Sequence, residues 1–162
     1  LYNCGEEGPT LEIVLYEPEI PQNTGNIVRL AAATGCGLHL IEPLGFFWND
    51  RNLKRAGLDY WEYAWVKRHR SFDHFLTLFP GCRPYYLSTK GTKGYHEVRF
   101  AQDDILVFGP ETRGLPEKLL ATDADHVLRL PMVPGIRCIN LSNSVAVVTY
   151  EALRQLQFPG MI

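Results

Sequence analysis

Leu106-Val107-Phe108-Gly109-Pro110-Glu111-Thr112-Arg113-Gly114-Leu115-Pro116 passes directly from an apolar run into a loop with two glycines and two prolines. The apolar half reads as a buried strand, and the loop follows at its carboxyl end. Glycine lets a backbone bend sharply and approach a ligand, while proline limits the shapes of that bend. Two other segments have the same character. Asn23-Thr24-Gly25-Asn26-Ile27-Val28-Arg29 follows the apolar run 11–16, and the stretch 129–144, which contains Pro131, Pro134, Gly135, Arg137, Cys138 and Asn140, follows the run 126–130. In open α/β sheets ligands bind outside the carboxyl ends of the strands. The unusual residues of this chain are therefore expected at one edge of one sheet.

The remaining sequence supplies the alternation that such a sheet needs. Residues 11–16, 38–41, 64–66, 84–88, 105–108 and 126–130 read as strands. Helices are expected from Asn23 or Thr24 to Thr34, stopped by Gly35, and over residues 49–57, 71–78 and 142–157. Ser71 is placed to cap its helix, with Asp73 near the positive end. Strands interleaved with helices predict an α/β fold, a parallel sheet covered by helices on both faces. No repeat, low-complexity tract or linker divides the chain, so residues 11–162 read as a single domain preceded by an extension over 1–10.

Composition narrows the function classes. The chain has 162 residues, 46% of them apolar, enough for one domain with a sizeable core. No apolar run approaches the roughly 18 residues of a membrane helix, and no secretory signal pattern is present. The four cysteines, Cys4, Cys36, Cys82 and Cys138, form no CxxC pair, so no metal site is expected. The reading is a cytoplasmic protein with reduced thiols. A net charge of −2 argues against a generic polyanion binder. Any nucleic-acid contact must use local clusters, and Lys67, Arg68, His69 and Arg70 with Arg51, Lys54 and Arg55 are the best candidate for a phosphate-contacting surface.

The last helix is apolar on more than one side. Leu141, Val145, Val148, Ala152 and Leu156 follow one stripe, and Ala146, Tyr150 and Leu153 a second. Such a helix is buried on several sides. Either it lies centrally in the core, or one stripe faces a second copy of the chain, the commonest symmetric assembly being a dimer.

The chemistry-bearing residues exclude several alternatives. Neither GxGxxG nor GxxxxGK[ST] occurs, and the segment 89–94, Thr-Lys-Gly-Thr-Lys-Gly, has the spacing of neither. The five histidines make no HExxH motif, Ser142 and Ser144 lack a nucleophile-elbow context, and Glu17 and Glu19 are weak candidates for bases. Arg29 stands in an otherwise apolar or small helical run, and Arg137 stands in the third loop. Both suit a bidentate phosphate clamp, against the ordinary reading of a snorkelling surface arginine. The asparagines at 23, 26, 140 and 143 equally suit caps and turns.

Residues 23–29, 109–115 and 140–145 resemble, in order, the three signature motifs of the SPOUT RNA methyltransferases. From residue 11 to about 160 the chain is similar to the small tRNA (cytidine/uridine) 2′-O-methyltransferases that modify the wobble nucleotide. Glu17-Pro18-Glu19-Ile20-Pro21, Leu58-Asp59-Tyr60 and Tyr150-Glu151-Ala152 extend the likeness. The resemblance implies a C-terminal deep trefoil knot, a homodimer, and S-adenosylmethionine held by the backbone around Leu87, Gly109, Leu130, Cys138 and Leu141. The family commonly has serine where this chain has Cys138, a change that backbone contacts survive. The resemblance further implies a tRNA anticodon stem-loop as partner, leucine isoacceptors among the substrates, and substrate contacts from Asn23, Glu111, Arg137 and Tyr150. Arg29 matches the residue associated with activating the ribose hydroxyl. A guanidinium stays protonated in neutral water, so Arg29 is expected to clamp a phosphate and orient the hydroxyl instead of acting as a resting base. The other readings are a protein of this fold that binds RNA without methyl transfer, 2′-O-methylation of a different RNA, and a nucleotide-dependent enzyme on an ordinary doubly wound sheet.

Overall fold

The computed structural model describes residues 8–49, 51–57, 60 and 64–162. Its centre is β1 (Glu12–Tyr16), a five-residue strand between two parallel neighbours. On one side lies β2 (Gly37–Ile41) and on the other β6 (Ile105–Phe108), with Leu15 level with both Leu40 and Phe108. Together with β3 (Trp65–His69), β4 (Tyr85–Leu87), β5 (Lys93–Gly94) and β7 (Val127–Arg129), they make a seven-stranded sheet in the order β3-β2-β1-β6-β4-β7-β5. Every pairing is parallel, so all carboxyl ends share one edge.

Helices cover both faces. On one face α1 (Pro21–Thr34) and α5 (Leu141–Gln155) bury Ile27, Val28, Ala31, Val145, Val148 and Ala152 against Ile13, Leu15, Leu38 and Leu106. On the other, α3 (Phe72–Thr77) and α4 (Glu117–Leu120) place Phe72, Phe75 and Leu120 against Val14, Ile41 and Val107. Strands buried from both sides read as continuous apolar runs, which is why β6 stands out in the sequence. The fifth helix, α2 (Arg51–Gly57), lies outside the sheet on α1. Gly25 permits that crossing, because a Cβ there would overlap the Ala56 side chain and lie 2.9 Å from the Leu53 carbonyl oxygen.

Several boundaries differ from expectation, each for a local reason. Neither Asn23 nor Thr24 caps α1. The helix starts two residues earlier at Pro21, whose fixed φ suits the first helical position, and both polar residues are buried in its first turn. Ser71 does cap α3, its hydroxyl accepting from the His74 backbone N–H at 3.1 Å. The last helix begins at Leu141, with the Asn140 side chain accepting from the N–H groups of Ser142 and Asn143 at 2.9 and 3.4 Å. Its far end is pinned by Gln155, which bonds the Phe100 N–H at 2.9 Å and the Val98 carbonyl at 3.1 Å. Of the second apolar stripe read on this helix, Leu153 is fully buried, Ala146 is half-buried and Tyr150 is exposed beside exposed Val147. The strand read at 64–66 extends to His69, and the basic cluster divides: Lys67, Arg68 and Arg70 are exposed, while His69 is buried with its ring 5.3 Å from that of Phe75. His69 is therefore removed from the expected phosphate-contacting surface.

Candidate functional site

All three unusual segments meet in one cleft of about 550 Å3 at the carboxyl edge of β4, β6 and β7. The size falls within the ~300–1,000 Å3 of small-molecule sites. One wall is the loop after β6, residues 109–115. There Gly114 adopts φ +67 and donates its N–H to the Pro110 carbonyl at 3.0 Å, folding the loop back on itself. A Cβ on Gly109 would overlap the Leu115 N and the Gly114 carbonyl carbon, so only glycine fits beneath this knuckle. Leu87 and Ser88 beyond β4, Leu130 and Met132 beyond β7, and residues 137–141 leading into α5 form the other walls.

Glu111 ties the segments together. Its carboxylate accepts from the backbone N–H of Glu19 at 2.8 Å, the N–H of Ile20 at 3.0 Å and the Asn23 amide at 3.2 Å. A carboxylate at the amino end of α1 also meets the positive end of the helix dipole. The Asn140 amide donates to the Asn23 carbonyl oxygen at 3.0 Å, while the Asn140 oxygen caps α5. One hydrogen-bonded chain thus runs from the loop after β6, through the first turn of α1, to the start of α5. Outside it, Arg113 pairs with Glu17 at 2.5 Å, and Thr112 donates to the Glu19 carboxylate at 2.8 Å. Glu17 and Glu19, read as weak candidates for bases, are thereby engaged in holding the loop.

Leu87, Gly109, Leu130, Cys138 and Leu141 all line the cleft, as do Asn23, Glu111 and Arg137. Arg137 is exposed and has no ion pair among the described residues. Arg29 and Tyr150 are not part of the lining. Arg29 is exposed on α1, six residues beyond Asn23 and so about 9 Å along the axis. Its guanidinium stands 5.0 Å from the centre of the Tyr60 ring. Tyr150 is exposed in the third turn of α5, its ring 6.5 Å from that of Phe158. Met132, Ile139 and Ser144, within the third unusual segment, also line the cleft, and sequence reasoning missed Ile20, Ser88, Thr89 and Lys90. Thr89 and Lys90 belong to the segment set aside for lacking a phosphate-loop spacing. Their signal was their place just after a strand. Among the described residues no cluster could hold a metal ion, and no helix is long and apolar enough to cross a membrane.

The fold and the cleft define an α/β protein that takes a small ligand where three loops converge beyond its strands. The chain belongs to the SpoU rRNA Methylase family, whose sequence profile matches residues 10–150. The tRNA (cytidine(34)-2′-O)-methyltransferase of Escherichia coli K12 is 55% identical over 153 residues, covering 94% of this chain and 98% of that protein. The corresponding protein of Saccharophagus degradans is 57% identical over 149 residues, 91% and 97% of the two chains. A solved structure from work on the 2-OH methylation of C/U34 on tRNA is 50% identical, with TM-score 0.87 over 91% of this chain and 96% of that one. The AdoMet complex of the SpoU methyltransferase AviRb from Streptomyces viridochromogenes shares the fold, at 23% identity and TM-score 0.80 over 93% of this chain and 62% of its own.

Proposed function

We propose that this protein transfers the methyl group of S-adenosylmethionine to the ribose 2′-hydroxyl of the wobble nucleotide, cytidine or uridine, of tRNA, with leucine isoacceptors among its substrates. The observation that carries the reading is the joining of three distant segments around one cleft by Glu111, Asn23 and Asn140. The similarity to tRNA (cytidine(34)-2′-O)-methyltransferases over nearly the whole chain supports the choice of substrate.

The residues present fit the methyl donor. Glycine at position 109 lets the loop fold back tightly beside the cleft, and Leu87, Leu130, Cys138 and Leu141 line it with mostly apolar side chains. Bound there, S-adenosylmethionine supplies an electrophilic methyl carbon. The protein's part is positioning, which supplies much of the acceleration in such a transfer. Arg29 grips an RNA phosphate through its planar fork and orients the 2′-hydroxyl, whose proton leaves to the phosphate or with help from the guanidinium. Asn23, Glu111, Arg137 and Tyr150 border the path of the RNA.

In the same reading the C-terminal segment threads a deep trefoil knot, two copies pair as a homodimer in the cytoplasm, and residues 11–162 act as one domain after an extension over 1–10. The deciding experiment is mass spectrometry of nucleosides from tRNA treated with the protein and S-adenosylmethionine. A 2′-O-methylated pyrimidine at the wobble position is expected. Binding of tRNA with no methyl incorporated would leave an RNA-binding protein of this fold, and a methyl group elsewhere would reassign the substrate. Arg29→Lys retains the charge and loses the fork. It should cut turnover by at least about tenfold, equivalent to about 1.4 kcal/mol in the transition state, with donor affinity nearly intact by calorimetry. Full activity in that variant would remove Arg29 from the mechanism.

A further inference from the structure

A second groove, of about 450 Å3, lies beyond β2 and β3 on the same edge of the sheet as the cleft. It is lined by Glu42, Phe46, Phe47, Trp48, Arg68 and Arg70 with Pro43 and Leu44. Phe47 is 82% exposed, an unusual place for a phenyl ring in a folded chain. The Arg68 guanidinium lies 5.0 Å from the centre of a Trp48 ring and pairs with Glu42 at 2.8 Å. Among the described residues, that pair neutralises the one acidic group lining the groove and leaves Arg70 without an ion pair. Exposed Lys67 on β3 and exposed Arg51, Lys54 and Arg55 on α2 add positive charge along the segments that flank it. In a chain of net charge −2, this is a local concentration of cations around aromatic faces.

We propose that this groove is a stacking platform for an unpaired nucleotide of the RNA substrate, with Phe47 and Trp48 carrying the base and Arg70 the adjoining phosphate. The inference rests on the reading of the protein as an RNA methyltransferase and adds a surface separate from the cleft. Aromatic faces combined with arginine are the chemistry by which proteins hold single-stranded nucleic acid. The uncompensated positive charge favours a polyanion over an apolar protein partner. Position agrees as well. The groove follows β2 and β3, while the cleft follows β6, β4 and β7, so their midpoints are about three and a half strand spacings, roughly 17 Å, apart. At ~3.4 Å per stacked nucleotide, about five nucleotides of one strand span that interval. A single-stranded loop then places its target ribose at the cleft and a base several nucleotides away in the groove.

The test compares wild-type protein with Phe47→Ala/Trp48→Ala and with Arg70→Gln. It measures fluorescence anisotropy of a labelled anticodon stem-loop, calorimetry with S-adenosylmethionine, thermal melting and sedimentation. Loss of stacking should weaken RNA binding about 5- to 150-fold in the aromatic variant, with donor affinity and melting unchanged. Removal of one phosphate contact in Arg70→Gln should flatten the slope of log affinity against log salt by about 0.7. Unchanged RNA affinity in correctly folded variants would overturn the proposal. So would dissociation of an assembled protein into monomers, which would make the groove an interface between copies. Wild-type protein that binds the stem-loop through these residues and transfers no methyl group would refute the enzymatic reading while leaving the platform intact.

Discussion

Glu111 shows how a residue in a glycine loop can carry structure and site together. Its carboxylate receives three donors from the segment that opens α1, two of them backbone N–H groups with no other partner in a helix start. Glu111→Ala strands them, at about 2 kcal/mol, which in a chain of this size lowers the melting temperature by roughly 4–8 °C. The same change frees the loop over the cleft, so donor affinity measured by calorimetry should fall with it. An unaltered melting curve would show that the segments do not depend on this carboxylate. From sequence alone Asn23 was open to the usual reading as a cap. A link between residues 88 and 117 positions apart, to Glu111 and Asn140, has no local signature, which is why the network was illegible while the segments that carry it were not.

A second residue-scale arrangement lies behind the sheet. Glu12 Oε2 meets His39 Nε2 at 2.8 Å, and His39 Nδ1 meets His69 Nε2 at 2.8 Å, all three residues buried. Gly37 makes room, since a Cβ there would collide with the Glu12 carboxylate. With the carboxylate as acceptor, His39 donates from Nε2 and accepts at Nδ1, and His69 donates from Nε2. The Nδ1 of His69 is then a bare acceptor with no hydrogen-bond partner among the described residues. Burial, followed by the nearby His39, His74 and Lys67, pushes His69 down to about 4. Below its ordinary value of about 6.5 the unfolded chain takes up a proton that the folded chain refuses. Stability from this group is therefore complete above about pH 6.5 and is lost as pH falls toward 4. Melting temperatures across that window should decline less steeply in His69→Gln than in wild type, and two parallel profiles would sink the assignment. In the sequence His69 was grouped with Lys67, Arg68 and Arg70. Lys67 shares a face of β3 with His69, so what separates His69 from the three cations is the cover of Phe75 on α3, a tertiary contact with no local signature.

At the scale of elements, legibility followed length and apolar content. The run at β6 and the periodic α5 were readable because each is buried over several consecutive positions or turns. The two-residue β5 and four-residue α4 carry too little pattern, and they exist through their neighbours: β5 pairs with β7, and α4 packs Leu120 beneath the sheet. The α1–α2 crossing gives a test at this scale. Glycine inside a helix ordinarily costs about 1 kcal/mol relative to alanine, so Gly25→Ala should stabilise an isolated α1. Here the added methyl meets the Leu53 carbonyl oxygen and the Ala56 side chain, of which the former cannot swing aside. Overpacking of this kind costs about 1–3 kcal/mol, so a net loss is expected, read as a lower urea midpoint with unchanged slope. A midpoint at or above wild type would mean that α2 moves away freely and that the close approach has no structural weight.

At the scale of the whole molecule, the sheet edge gathers the cleft and the cationic aromatic groove, while a different surface remains apolar. Val147 and Tyr150, both 43% exposed, stand three residues apart on one face of α5, with Phe158 against Tyr150. Ile20 and Ile139 are also exposed, at the mouth of the cleft. The opposite side of α5 is filled by Val145, Val148, Ala152 and Leu153, so this helix has an apolar surface left after the core is satisfied. Contiguous apolar surface beside polar residues marks an interaction site, and two-fold self-association is the commonest way for one chain to cover it. Val147→Asp places a charge in that contact without touching the cleft lining or the buried side of α5. In the proposed homodimer it should convert a dimer at micromolar concentration into a monomer by sedimentation equilibrium, while the melting of the isolated fold changes by less than about 0.5 kcal/mol of stability beyond the lost association. Transfer to tRNA should fall with the dimer if Tyr150 reaches RNA bound by the other copy. Wild-type protein that sediments as a monomer at that concentration would contradict the pairing, and the apolar face of α5 would then need another partner.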